Sequence, residues 1–134
     1  MSKWEKAAWI QIGITACASL VVIGAYPWYG IQATKLYALL ALVLVTYPFI
    51  AWQRGGEILR DERDFAIERK SRSAGGVIAW TFLFASLISL SMSHDPDGVP
   101  AAYLHAIVWI QFAVFISVSA IVTLLGYRRA GNAA

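Results

Sequence analysis

The chain has 134 residues, 59% of them hydrophobic and 14% charged, with mean hydropathy +0.61 and a formal charge of +3. Soluble domains are roughly 45–50% apolar and about 25% charged, so disorder, a collagen-like repeat and an ordinary soluble enzyme are excluded and an integral membrane protein is indicated. The excess charge is small and local, so a pI of 9.2 does not point to nucleic acid, and one cysteine excludes an intramolecular disulfide framework or a multi-cysteine metal site.

A membrane-crossing helix needs about 20 apolar residues. Charge-free windows run over 7–34, 36–53, 73–93 and 98–127. They predict four spans near 6–26, 34–53, 74–93 and 101–127. The windows lack the alternation of strands, and an open sheet leaves its backbone unpaired in lipid. The expected fold is therefore all-α: a single membrane domain over 1–134, built as a four-transmembrane-helix bundle. Ile14-Thr15-Ala16-Cys17 has the shape of a lipoprotein cleavage box. Apolar sequence continues through Ile23, however, which predicts an uncleaved first span.

Orientation follows from Lys and Arg. Lys3, Lys6, Arg54, Arg60, Arg63, Arg69, Lys70, Arg72, Arg128 and Arg129 fall on one side of the four-span scheme, and only Lys35 falls on the other. The positive-inside rule then puts both termini and the charged connection between spans two and three in the cytoplasm. Trp4, Trp9, Tyr26, Trp28, Tyr29, Trp52, Trp80, Tyr103 and Tyr127 fall near span ends, as interfacial aromatics do.

Small residues govern helix association in lipid. Span one offers Gly13, Cys17, Leu20 and Gly24 on one stripe; span three offers Ala79, Ser86, Ser89 and Ser93; span four offers Ala106, Ala113, Ser117 and Ala120. These stripes are the expected bundle seam, with Cys17 as a small packing residue. Pro48 in span two frees the carbonyl of Leu44 and predicts a kink.

The connection after span two breaks at Gly55-Gly56 and then reads as a helix over about 57–72, up to Ala74-Gly75-Gly76. Glu57, Asp61, Asp64 and Glu68 share one helical face, and Arg60, Arg63, Ile67 and Lys70 share the adjoining one. Arg60–Asp64 and Glu68–Arg72 are candidate i,i+4 pairs. Ile58, Leu59, Phe65 and Ala66 can rest on the membrane surface or on the bundle. Such a helix is either a solvated, self-neutralising surface or a contact for a partner or for a second protomer. Its carboxylates can also hold a hard cation.

Asp61-Glu62-Arg63-Asp64, then Ile67 and Arg69-Lys70 just before a span, resemble the D-E-R-[DE]-x-x-[IL] signature of a prokaryotic family of small multi-span membrane proteins, the DUF2178 type. The likeness covers about ten residues and the span layout. It implies a prokaryotic inner-membrane protein of unknown activity, sometimes regarded as a companion of regulators, and it transfers no catalytic residue.

On the outer side, His94, Asp95, Asp97 and His105 can ligate zinc or another divalent ion if the loop folds over span four. Asp95-Pro96-Asp97-Gly98 is equally plain turn chemistry, with Pro100 suited to the first turn of span four. Within the spans, Gln11 and Gln111 can hydrogen-bond across helices and fix register. Gln111, Ser117, Ser119 and Thr123 can instead line a solute path. No Asp, Glu, Lys or Arg lies deep in a span, which argues against a proton relay or a charged coupling site. Walker, Gly-x-Ser-x-Gly and zinc-protease motifs are missing, as is the Glu-x-x-His pair of di-iron bundles.

The sequence thus leads first to a non-enzymatic membrane protein that self-associates or docks a partner through its charged helix, using Glu57, Arg60, Asp61, Arg63, Asp64, Glu68 and Lys70. A small oligomeric transporter or channel with its path along span four is the second reading. A metal-dependent enzyme at the outer His/Asp cluster is the third. Apart from that possible divalent ion, no cofactor is expected. The expected partners are the lipid bilayer, a second copy of the chain, or a membrane-complex protein.

Overall fold

A computed structural model describes residues 3–40, 42–43, 62–93 and 98–131, and among these every regular element is helical. Helix α1 spans Lys3–Tyr29 and is followed by a 3-10 helix over Gly30–Leu40. Helix α2 spans Glu62–Ser93 and α3 spans Ala101–Gly131. The stretches Trp4–Leu40, Glu62–Ser93 and Ala101–Arg129 are long and apolar enough to cross a membrane.

The first of these stretches doubles back on itself. Pro27 lies inside α1, and the helix ends two residues later at Tyr29; the next residue, Gly30, has a φ of +54°, a left-handed value that glycine adopts without strain. The chain then returns along α1. The Tyr37 hydroxyl donates to Ser19 Oγ at 3.4 Å, and Leu40 and Val43 cluster with Ala18. The 3-10 helix therefore begins four residues before the expected start of the span over 34–53. The rest of that span, including Pro48 and its expected kink, lies outside the described residues.

Helix α3 is the hub. It packs against α1, the 3-10 helix and α2, whereas the backbones of α1 and α2 stay apart among the described residues. The interior is made largely of small residues: Ala7, Ala8, Ala18, Ala33, Ala79, Ala106, Ala113 and Ala120 are buried. Large apolar side chains point outward instead, with Leu20 68% and Val77 64% exposed. That inversion is what lipid selects, because close backbone approach rather than expulsion of apolar groups from water holds the helices together.

Two expectations need correction. The charged helix over 57–72 and the span over 74–93 are not separated at Ala74-Gly75-Gly76; one helix runs through from Glu62 to Ser93. Gly75 is there for packing, not for a break. A Cβ on it would overlap Ser119 Oγ and lie 3.1 Å from the Phe115 carbonyl oxygen, so α2 and α3 touch almost backbone to backbone. Gly126 has the same packing role further along α3, where a Cβ would meet Ile67 Cγ2 at 2.9 Å. The pairs Gly75–Ser119 and Ile67–Gly126 run in opposite chain directions, so the two helices are antiparallel.

The second correction concerns the seam of α1. Gly13, Cys17, Leu20 and Gly24 are exposed, and Ala7, Ala8, Gln11, Thr15, Ala18 and Val22 face inward. Polarity decides between the stripes. Gln11 and Thr15 need partners away from lipid, and Thr15 Oγ1 donates to the Gln11 carbonyl oxygen at 2.8 Å. The α3 seam is largely as expected: Ala106, Ala113 and Ala120 are buried together with Ile116 and Leu124. On α2, Ala79 is buried as expected, but its seam partners are Ser71 and Gly75, not Ser89 and Ser93, which are exposed. The outer boundaries also shift: α1 extends to Lys3 and Tyr29 beyond 6–26, and α3 continues past 127 to Gly131.

Candidate functional site

At the end of the bundle that carries Lys6, Arg63, Arg69, Lys70, Arg72, Arg128 and Arg129, α1 and α2 lean on α3 with their own backbones apart. A cavity of about 360 Å³ lies between them, within the size range of small-molecule sites. Trp4, Phe112, Phe115 and Ile116 supply apolar wall, and Gln11, Ser71, Ser119 and Thr123 supply polar groups. Asp64, Glu68, Arg72 and Tyr127 also line it.

The charged start of α2 is sorted by face. Asp64 and Glu68 turn toward the bundle. The Tyr127 hydroxyl donates to Asp64 Oδ1, and Glu68 forms the expected i,i+4 ion pair with Arg72. Ser71 Oγ donates back to the Glu68 carbonyl oxygen at 2.8 Å. Glu62, Arg63, Phe65, Arg69 and Lys70 are exposed. Ile67, expected on a face with Arg63 and Lys70, is half-buried against Gly126. The outward face of this segment thus carries three cations against the one carboxylate of Glu62, with one aromatic ring. Of the residues expected at a contact, Arg63 and Lys70 are outward, Asp64 and Glu68 are inward, and Glu57, Arg60 and Asp61 lie outside the described residues. The Arg60–Asp64 pair lies there too.

The expected solute path is divided. Ser119 and Thr123 line the cavity, with Thr123 Oγ1 donating to the Ser119 carbonyl oxygen at 2.9 Å. Ser119 Oγ is buried without a hydrogen-bond partner among the described residues, and it stands over Gly75. Gln111 lines a different groove, between α2 and α3, with Gly76, Trp80 and Trp109. Ser117 is half-buried and lines neither. Gln11 is the residue that spacing along span four missed. It is 8% exposed and belongs to the cavity with Ser119 and Thr123.

At the opposite end, His94, Asp95 and Asp97 lie outside the described residues. His105 is exposed, with Nδ1 2.8 Å from the Ala101 carbonyl oxygen one turn back. That bond leaves Nε2 as the nitrogen able to meet a metal. Among the described residues, no group of three His, Cys, Asp or Glu side chains is placed to hold an ion.

With this geometry in view, comparison with known proteins adds one positive finding. The family model described as "Predicted membrane protein (DUF2178)" matches residues 6–130. The chain belongs to this family. The match covers the elements from α1 to α3, so the DUF2178 assignment rests on the whole layout and not on the ten residues around Asp61. No curated protein and no solved structure matches the chain.

Proposed function

We propose that this DUF2178 protein is a non-enzymatic, multi-pass protein of the prokaryotic inner membrane that self-associates or docks a partner through the first turns of α2. In this reading the chain crosses four times, both termini are cytoplasmic, and the second crossing begins with the 3-10 helix. The positive-inside distribution of ten basic residues against Lys35 supports that topology. The basic end is then the cytoplasmic end.

One observation carries the docking reading: the charged segment is the unbroken continuation of a membrane-crossing helix. Ser73 to Ser93 covers about 30 Å at 1.5 Å per residue, the thickness of the hydrocarbon core. Arg63 and Phe65 therefore stand about 12–15 Å beyond it, on a rod fixed by the Asp64–Tyr127 contact. With the carboxylates of Asp64 and Glu68 turned inward, the exposed half of these turns carries Arg63, Arg69 and Lys70 against the single carboxylate of Glu62, with Phe65 at its far edge, a net basic and partly apolar surface. An acidic patch on a second copy or on another protein complements it.

The test is the native mass of the full chain in lipid nanodiscs, with Arg63→Glu/Phe65→Ala beside the unaltered protein. The reading expects a defined oligomer or complex that the double substitution dissolves. A monomer without a bound protein, or an assembly indifferent to the substitution, defeats it.

The cavity favours a second reading, a small-solute path or binding vestibule. Gln11, Ser119 and Thr123 would supply its polar contacts. Thr123→Val should then reduce flux into liposomes, whereas Gln111→Leu should not.

A further inference from the structure

On the face of α2 turned away from α3 lies a shallow groove formed by Ala66, Arg69, Lys70, Ser73, Ala74, Val77 and Ile78. The seam residues Ser71, Gly75 and Ala79 occupy the other side of the helix. Chemistry changes along the groove at a defined depth. Its inner part is apolar, and the Val77 and Ile78 side chains are exposed. Its outer part holds two cations and a hydroxyl.

The charge-free stretch of α2 begins at Ser73. Lys70 and Arg69 lie about 4.5 and 6 Å further out along the axis, within the headgroup layer that flanks the hydrocarbon core on each side. Neither side chain is in an ion pair among the described residues, since Glu68 is turned to Arg72 and Asp64 to Tyr127. Glu62, the other described carboxylate of this segment, sits about 10 Å from Arg69 along the axis.

We propose that this groove is a binding site for one anionic phospholipid. Its phosphate is held by Arg69 and Lys70 with the Ser73 hydroxyl, and an acyl chain lies along Ala74, Val77 and Ile78. Charge sign and depth select the occupant: two cations at phosphate level above an apolar floor match a lipid, whose charged and apolar parts are separated by the same few ångströms. Lys70 is then given to lipid, and the turn bearing Arg63 and Phe65 is held at a fixed height above the headgroups. The site depends on α2 crossing the membrane, and it takes Arg69 and Lys70 out of the docking surface, which is left to Arg63 and Phe65.

The full chain, reconstituted in nanodiscs of phosphatidylcholine doped with phosphatidylglycerol and released for native mass spectrometry, provides the test. The unaltered protein should retain one phosphatidylglycerol in preference to phosphatidylcholine. Arg69→Gln/Lys70→Gln should weaken that retention about twenty-five-fold, roughly fivefold for each basic residue. Arg128→Gln/Arg129→Gln removes the same charge from the same end of the bundle and should leave retention unchanged. Equal retention by the Arg69/Lys70 variant overturns the proposal, as does equal loss from the Arg128/Arg129 variant. So does finding that Arg69 and Lys70 hold an acidic protein rather than lipid. Both substitutions are on exposed side chains, and unchanged thermal unfolding in detergent separates lost lipid from a lost fold.

Discussion

The contact between α2 and α3 depends most on Gly75, and adding a single methyl group there tests it. In Gly75→Ala the new Cβ overlaps Ser119 Oγ and lies 3.1 Å from the Phe115 carbonyl oxygen and 3.3 Å from Phe115 Cδ2. The hydroxyl oxygen can rotate away, but the carbonyl belongs to the α3 backbone and moves only with the helix. Overpacking of this kind costs about 1–3 kcal/mol. Gly76, the next residue, has nothing within 4 Å of its Cβ position. Gly76→Ala should therefore be neutral or gain up to about 1 kcal/mol from helix propensity. Because propensity acts equally at both positions, the difference between the two variants isolates the steric cost. We expect Gly75→Ala to be about 1–3 kcal/mol less stable than Gly76→Ala. Gly126→Ala should fall between them, since its Cβ meets only the movable Ile67 side chain. Adding Ser119→Gly to Gly75→Ala should recover some of the loss but not all, because the carbonyl remains. Reversible unfolding in mixed micelles measures each difference. If Gly75→Ala unfolds with Gly76→Ala, the helices do not approach as closely as described.

Other expectations follow from single contacts. Tyr127→Phe removes the hydroxyl that donates to the Asp64 carboxylate and should destabilise the bundle by about 1.5 kcal/mol; an unchanged unfolding midpoint contradicts this. Arg72→Ala should change stability by less than about 0.5 kcal/mol, because the Arg72 side chain is 65% exposed and an exposed i,i+4 pair is weak. Cys17 is exposed near the middle of α1, so in vesicles it should resist a charged maleimide from both sides and become reactive only once detergent admits water to the helix. Rapid labelling by the charged reagent would place Cys17 beside water.

Much of the fold was legible because lipid imposes simple demands. Charge-free windows located the apolar part of every described helix, and i,i+4 spacing found the Glu68–Arg72 pair. Helix boundaries and faces were harder. Gly75-Gly76 read as a break because glycine is a poor helix former in isolation; only the proximity of Ser119 and Phe115 reveals a packing site. On α1 the small residues Gly13, Cys17 and Gly24 read as the seam, whereas the structure turns them outward and buries Gln11 and Thr15 with Ala7, Ala8 and Ala18. The Asp64–Tyr127 bond joins residues 63 positions apart, beyond any local pattern. The cavity arises from how α1 and α2 straddle α3, so Gln11 could not be joined to Ser119 and Thr123 by spacing alone.

Photo-cross-linking in living cells tests the central claim, that the basic end of α2 is a cytoplasmic contact surface, most directly. A photoreactive amino acid replaces Phe65 in one variant and Phe84, on the exposed apolar face of the same helix, in another. The account predicts a discrete protein adduct, to a second copy or to one partner, at position 65 and only lipid adducts at position 84. Lipid adducts alone at position 65, or the same protein adduct at both positions, would contradict it.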